Sequence, residues 1–170
     1  MIIMSPIEYQ EWIKTHIPDP VPMDDKTRLY EYLDILSSDE SPTIYKEFAL
    51  KGLGMIAIKY NSDPIILCGA LPLIKEQLLS SHPTLISQSI RTLTFIADNN
   101  GKNDIIQEEI HILIRSIISG RGIQQNIKDM GLKFYFKILD TPLDNLDKYF
   151  QPDPLYIVLV NTYIHEVDRR

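Results

Sequence analysis

Two sets of apolar segments recur along this chain at a spacing close to forty residues. That recurrence restricts its fold more than any single motif does. "RLYEYLDILSS" starts at Arg28, "LPLIKEQLLSS" at Leu71 and "IHILIRSIISG" at Ile110, offsets of 43 and 39. Each is an apolar run of helical period that closes on two small residues. "ALKGLGMIA" from Ala49, "SIRTLTFIA" from Ser89 and "GLKFYFKIL" from Gly131 form the second set, with offsets of 40 and 42. One such unit of short, medium and longer helix cannot cover its own apolar face. Stacked units bury a continuous core, and about three are needed for stability.

The breaks between segments carry helix-start and helix-stop chemistry. Ser5, Pro6 and Glu8 suit a cap, a first helical residue and a capping box, with Trp12 and Ile13 on an apolar stripe. "IPDPVP" then stops that helix and tethers it, to fold back as a cap or to dock on a second copy, and the cap is favoured because it covers Trp12 and Ile13. Asp24 and Asp25 suit the next N-terminus as cap and as charges on the helix dipole. In "TIYKEFALKGLGMIAIKY", Ile44, Phe48, Leu53 and Ile56 fall near one face, and the two glycines invite a neighbouring helix to pack closely. "NSDP" places Pro64 just inside a further helix, and "NNGKND" reads as a loop with a left-handed glycine, not a phosphate loop. "DPLYIVLVNTYIHEVDRR" reads as a closing helix capped by Asp153, with Pro154 at its first position and Arg169 and Arg170 at its C-terminus. The expected boundaries are a helix over 1–17, a Pro-rich linker over 18–23, repeats over 24–62, 63–102 and 103–141, and a capping segment over 142–170, all in one domain.

Composition narrows the function. The formal charge is −6, from 17 basic and 23 acidic residues. That disfavours bulk binding to nucleic acid or an anionic membrane, yet leaves room for a local basic strip. A single cysteine, Cys68, rules out a disulfide framework within the chain and suggests a reducing, intracellular, cytoplasmic setting. The start lacks the basic residues and the longer apolar run of a signal peptide. The longest apolar stretch, "LYIVLV", is far shorter than a membrane span.

On these residues the chain resembles the armadillo-repeat family over roughly 26–140. "IILCGALPLI", Ile65 to Ile74, matches the family's second-helix phrase. Its third-helix pattern is met by Ala49, Gly52, Leu53, Ile56 and Ala57, then by Ser89, Thr92, Leu93, Ile96 and Ala97. Gly131, Phe134, Tyr135, Ile138 and Leu139 match less closely. The resemblance implies an all-α, right-handed α-solenoid of about three units with capping helices, whose third helices line a concave groove. Members that grip basic peptides keep an Asn on each third helix. Here those positions hold Met55, Phe95 and Lys137, and the family's Trp positions hold Lys51, Arg91 and Lys133. The implied groove therefore carries two rows of basic and apolar residues, suited to an acidic or amphipathic partner segment.

Other features favour structural roles. His16, His82, His111 and His165 are dispersed, without zinc-ligand spacing. Cys68 stands in an apolar turn with no histidine near it in sequence, as a structural thiol would. "KFYFK" places Phe134, Tyr135 and Phe136 on different helix faces. Ser41-Pro42 is a phosphoacceptor dipeptide of a kind common on exposed turns. No set of two or three groups has the roles and spacing of a catalytic or cofactor site. The chain reads as a protein-binding adaptor or scaffold subunit rather than an enzyme. The alternative is a chaperone-cofactor or exchange-factor-like regulator that clamps a partner domain.

Overall fold

The computed structural model describes residues 21–139 together with Glu8, Glu11, Trp12 and Ile17. The expected caps at Ser5 and Asp153 and the closing helix lie outside the described residues. Those described form helices and turns, with no strand among them. The order is α1 Met23–Ser37, α2 Thr43–Tyr60, α3 Asp63–Leu67, α4 Ala70–Leu78, α5 Pro83–Ile96, α6 Lys102–Gln107, α7 Ile110–Ile118 and α8 Gln125–Leu139. The chain divides after Glu108 into two compact units. The segment 103–141 expected as one repeat is thus shared, with α6 in the first unit and α7 and α8 in the second.

In the first unit α1 packs on α2, α4 on α5, α1 on α4 and α2 on α5. Buried polar groups fix the register. Thr92 Oγ1 of α5 donates to the Leu50 carbonyl of α2 at 2.8 Å, across 42 residues. Gln77 Nε2 of α4 donates to the Leu36 carbonyl of α1 at 3.4 Å, across 41 residues. The Phe95 ring lies against Gly54, and Ser62 Oγ donates to the Ile96 carbonyl at 2.9 Å. Low number meets low and high meets high, so α2 and α5 run in the same direction. Helices about one sequence period apart therefore lie side by side.

Both glycines of α2 work by closeness. A Cβ on Gly52 would stand 2.2 Å from the Tyr32 ring of α1, and one on Gly54 3.0 Å from Phe95 of α5. The core is aliphatic, with Leu29, Leu33, Leu50, Leu53, Ile65, Ile74 and Ile90 essentially inaccessible. Trp12 meets Tyr30 edge-on, ring centroids 5.2 Å apart. Ile44 and Phe48 depart from expectation. The sequence pattern groups them with Leu53 and Ile56, but they are 69% and 60% exposed while Leu53 and Ile56 are buried. The apolar residues of α2 occupy more than one face, and the core takes the face formed by Ala49, Leu50, Leu53, Ile56 and Ala57.

Positive-φ residues recur at similar spacing along the backbone. Asn61 and Asn100 both adopt positive φ, 76° and 74°, ahead of α3 and α6. Gly69 and Glu109, forty residues apart, adopt left-handed conformations at the N-caps of the nine-residue helices α4 and α7. The left-handed residue in "NNGKND" is Asn100, not the glycine expected there. Gly101 serves a different purpose, since a Cβ at that position would stand 2.4 Å from Ile96 Cγ2. Asp24 and Asp25 occupy the first turn of α1, but neither caps it by a side-chain bond, and Pro22 is the N-cap.

In the second unit α7 packs on α8. Gly131 admits Ile118, whose Cγ2 would be 2.4 Å from an added Cβ. Phe134 and Tyr135 are buried and Phe136 is half-buried, so the dense aromatic patch is largely core. His111 is also fully buried. Burial pushes its imidazole down to about 4, and the Arg115 guanidinium acts in the same direction.

Two outcomes follow from these positions. Glu109 holds a left-handed conformation that costs an L-residue roughly 1 kcal/mol and costs glycine almost nothing. Glu109→Gly is expected to raise stability by about 0.5–1 kcal/mol and Gly69→Ala to lower it by about 1 kcal/mol, read from urea midpoints. For His111, the unfolded imidazole titrates near 6.5 and the folded one near 4. Between those values the unfolded chain binds more protons, so stability is full above pH 6.5 and falls as pH drops toward 4. The expected loss is on the order of 3 kcal/mol, and His111→Leu should flatten the stability curve between pH 6.5 and 5.

Candidate partner-binding face

Ile44, Phe48, Lys51, Met55 and Ile58 follow one another on α2 at steps of four and three, and all five are exposed. Residues so spaced lie along one side of a helix. The stripe borders two neighbours. On the α1 side, Phe48 meets Tyr32 edge-on with centroids 5.8 Å apart. A depression of about 190 Å³ there is lined by Asp25, Arg28, Tyr32, Gly52, Met55, Ile56 and Lys59. On the α5 side, Phe95 packs on Gly54 and remains 40% exposed. Arg91, one turn earlier on α5, is exposed at the level of Lys51, because Thr92 is bonded to Leu50.

Of the six residues expected to form a groove, the first unit brings Lys51, Met55, Arg91 and Phe95 onto one face. Among the described residues neither Lys51 nor Arg91 forms an ion pair. Lys133 and Lys137 stand one turn apart on α8 of the second unit, the former exposed and the latter half-buried. Sequence reasoning missed Phe48, Ile58, Arg28 and Lys59 as members of the face. A signal was present: α2 is apolar on more sides than one core contact requires.

Asp25 anchors the α1 border. Its carboxylate accepts a hydrogen bond from the Tyr60 hydroxyl, and Lys59 Nζ at 3.2 Å and Arg28 at 3.4 Å complete its partners. The Tyr60 hydrogen bond, helped by Lys59 and Arg28, holds the carboxyl below its ordinary value despite burial. Start of α1 and end of α2 are thereby tied together.

The remaining chemistry-bearing groups are sparse. Cys68 is half-buried, and burial pushes its thiol up to about 12, so it is no thiolate at neutral pH. Among the described residues no group of His, Cys, Asp and Glu is arranged to hold a metal ion. A second depression of about 280 Å³ is lined by Asp39, Ser41, Lys46, Glu76, Gln77 and His82 with their neighbours. No described helix is long and apolar enough to cross a membrane. Comparison with protein-family models, curated proteins and solved structures finds no match to this chain.

Removing the Asp25 charge should loosen the α1 border. Asp25→Asn is expected to cost about 1–2 kcal/mol, most of it from the charge-assisted Tyr60 bond, because Lys59 and Arg28 are well exposed. In the wild type this contribution is present above the ordinary carboxylate range and lost as pH falls through the depressed folded value. Denaturant titration of both proteins between pH 7 and 3 should show their difference shrinking toward the acid end.

Proposed function

We propose that this chain is a protein-binding adaptor or scaffold subunit. In this reading it is a short α-solenoid of armadillo-like units that docks a partner segment on the α2–α5 face. The solenoid reading is supported by like helices lying side by side and by left-handed residues recurring at Gly69 and Glu109. The observation that carries the function is the α2 stripe. Phe48 and Met55 are 60% and 63% exposed in mid-helix, beside Lys51 and Arg91, which no described carboxylate pairs. Large apolar side chains gathered on one exposed helix face mark a binding surface more often than singly scattered ones do. Aromatic, Met and Arg side chains are also the types enriched at interfaces.

The test is comparative affinity purification from the native cell extract. The baits are the wild-type chain and a Lys51→Glu/Arg91→Glu double variant. Both positions are exposed, so the variant should melt within a few degrees of the wild type. Specific partners are expected with the wild type and at least about tenfold less with the variant, a loss of about 1.4 kcal/mol or more. Equal recovery with both baits would remove this face from consideration.

A further inference from the structure

The docking reading above leaves the occupant open, and the α2–α5 face restricts it. We infer that the face takes an acidic amphipathic α-helix from another protein, laid along α2. This inference rests on the docking reading and specifies the partner.

Three observations select that occupant. The first is length and direction. Ile44 to Ile58 covers fifteen residues of one helix, a rail of about 21 Å from end to end. A partner helix matches such a rail with apolar anchors at i, i+4, i+7 and i+11.

The second is the lack of side-chain acceptors for a peptide's N–H groups. An extended peptide needs partners for its own N–H and C=O groups. The rail presents Ile44, Phe48, Lys51, Met55 and Ile58, flanked by Arg91 and Phe95, with no side-chain amide among them. A helix satisfies its backbone internally and needs only apolar contact and charge.

The third is charge. The overall charge is −6, yet the rail is bordered by Arg28, Lys51, Lys59 and Arg91. Asp25 engages Arg28 and Lys59. Glu47 lies one turn from Lys51, is half-buried and forms no ion pair with it. Lys51 and Arg91 are therefore available to carboxylates of an incoming helix, and they repel a basic one. The same charge disfavours a second copy of this chain. Lys51 is the midpoint of the rail, and a two-fold antiparallel pairing sets one Lys51 against the other.

The test titrates designed peptides of about fifteen residues into the full chain labelled with ¹⁵N, up to about 1 mM. One peptide is a helix with a leucine stripe flanked by glutamates. A second replaces the glutamates with lysines. A third carries the acidic composition interrupted by proline, so that it cannot form the helix. The acidic helix should shift the amide signals of Lys51, Met55, Ile58, Arg91 and Phe95 and bind at least about tenfold tighter than either control. Its affinity should fall with added salt. Lys51→Glu/Arg91→Glu should invert the preference between acidic and basic helices. Equal affinity for all three peptides overturns the inference, as does absence of shifts at the highest concentration. So do concentration-dependent shifts along α2 without any peptide, which would mark a second copy as the occupant. If purified partners still depend on Lys51 and Arg91 while the acidic helix shows no preference, only the occupant class fails and the docking reading stands.

Discussion

The contact on which the first unit depends is α2 lying parallel to α5. It is a contact between like elements. Thr92 reaches the Leu50 carbonyl, Phe95 covers Gly54, and Ser62 closes on the Ile96 carbonyl. A buried hydroxyl–carbonyl bond contributes little net energy but is costly to misplace, so it sets register where aliphatic side chains alone would permit a slip. Gln77 does the same for α4 on α1. Once these pairs are in register, the short helices have little freedom. Each is led by a left-handed asparagine and followed by a left-handed residue, which turns the chain into the next nine-residue helix.

That arrangement decides which side of α2 is left outside. Its core face, with Leu50, Leu53 and Ala57, is buried in a helix that packs on α5 and α1, and its two glycines bring Tyr32 and Phe95 close to its backbone. The exposed stripe is therefore a geometric consequence of close helix packing. Gly52 and Gly54 lower the intrinsic stability of α2 by roughly 1 kcal/mol each relative to alanine. What they permit is the approach of two aromatic rings that flank the stripe. Tertiary packing outweighs local propensity here, as it does in most helices of folded proteins.

How much of this was legible in the sequence can be judged residue by residue. The all-helical fold was legible because apolar runs of helical period alternate with breaks of small residues and proline, as at Pro64. The seat for Tyr32 at Gly52 was foreseeable in kind, since glycine in an apolar helix invites close approach. The placement of Ile44 and Phe48 was not. A helix apolar on several sides carries two rival periodic patterns, and only the neighbours select between them. Asp25 misled for a similar reason. A carboxylate in a first turn serves as a cap by default, but Tyr60, 35 residues away, offers a stronger partner. Glu109 gave no local signal at all, because glutamate has no preference for left-handed backbone. Its conformation follows from the chain path, and only the Gly69 counterpart forty residues earlier hints at it.

The charge pattern of the face carries the last step. Apolar stripes on helices drive self-association unless something opposes it, and the opposing device must not also block the intended partner. A single lysine at the centre of the stripe meets both conditions. Paired with its own copy it brings like charges together in a partly desolvated contact. Paired with a carboxylate it adds attraction and fixes register. In the proposed docking reading, Lys51 at the midpoint between Ile44 and Ile58, with Arg91 at its level on the neighbouring helix, would let one face be apolar enough to bind and charged enough to refuse itself.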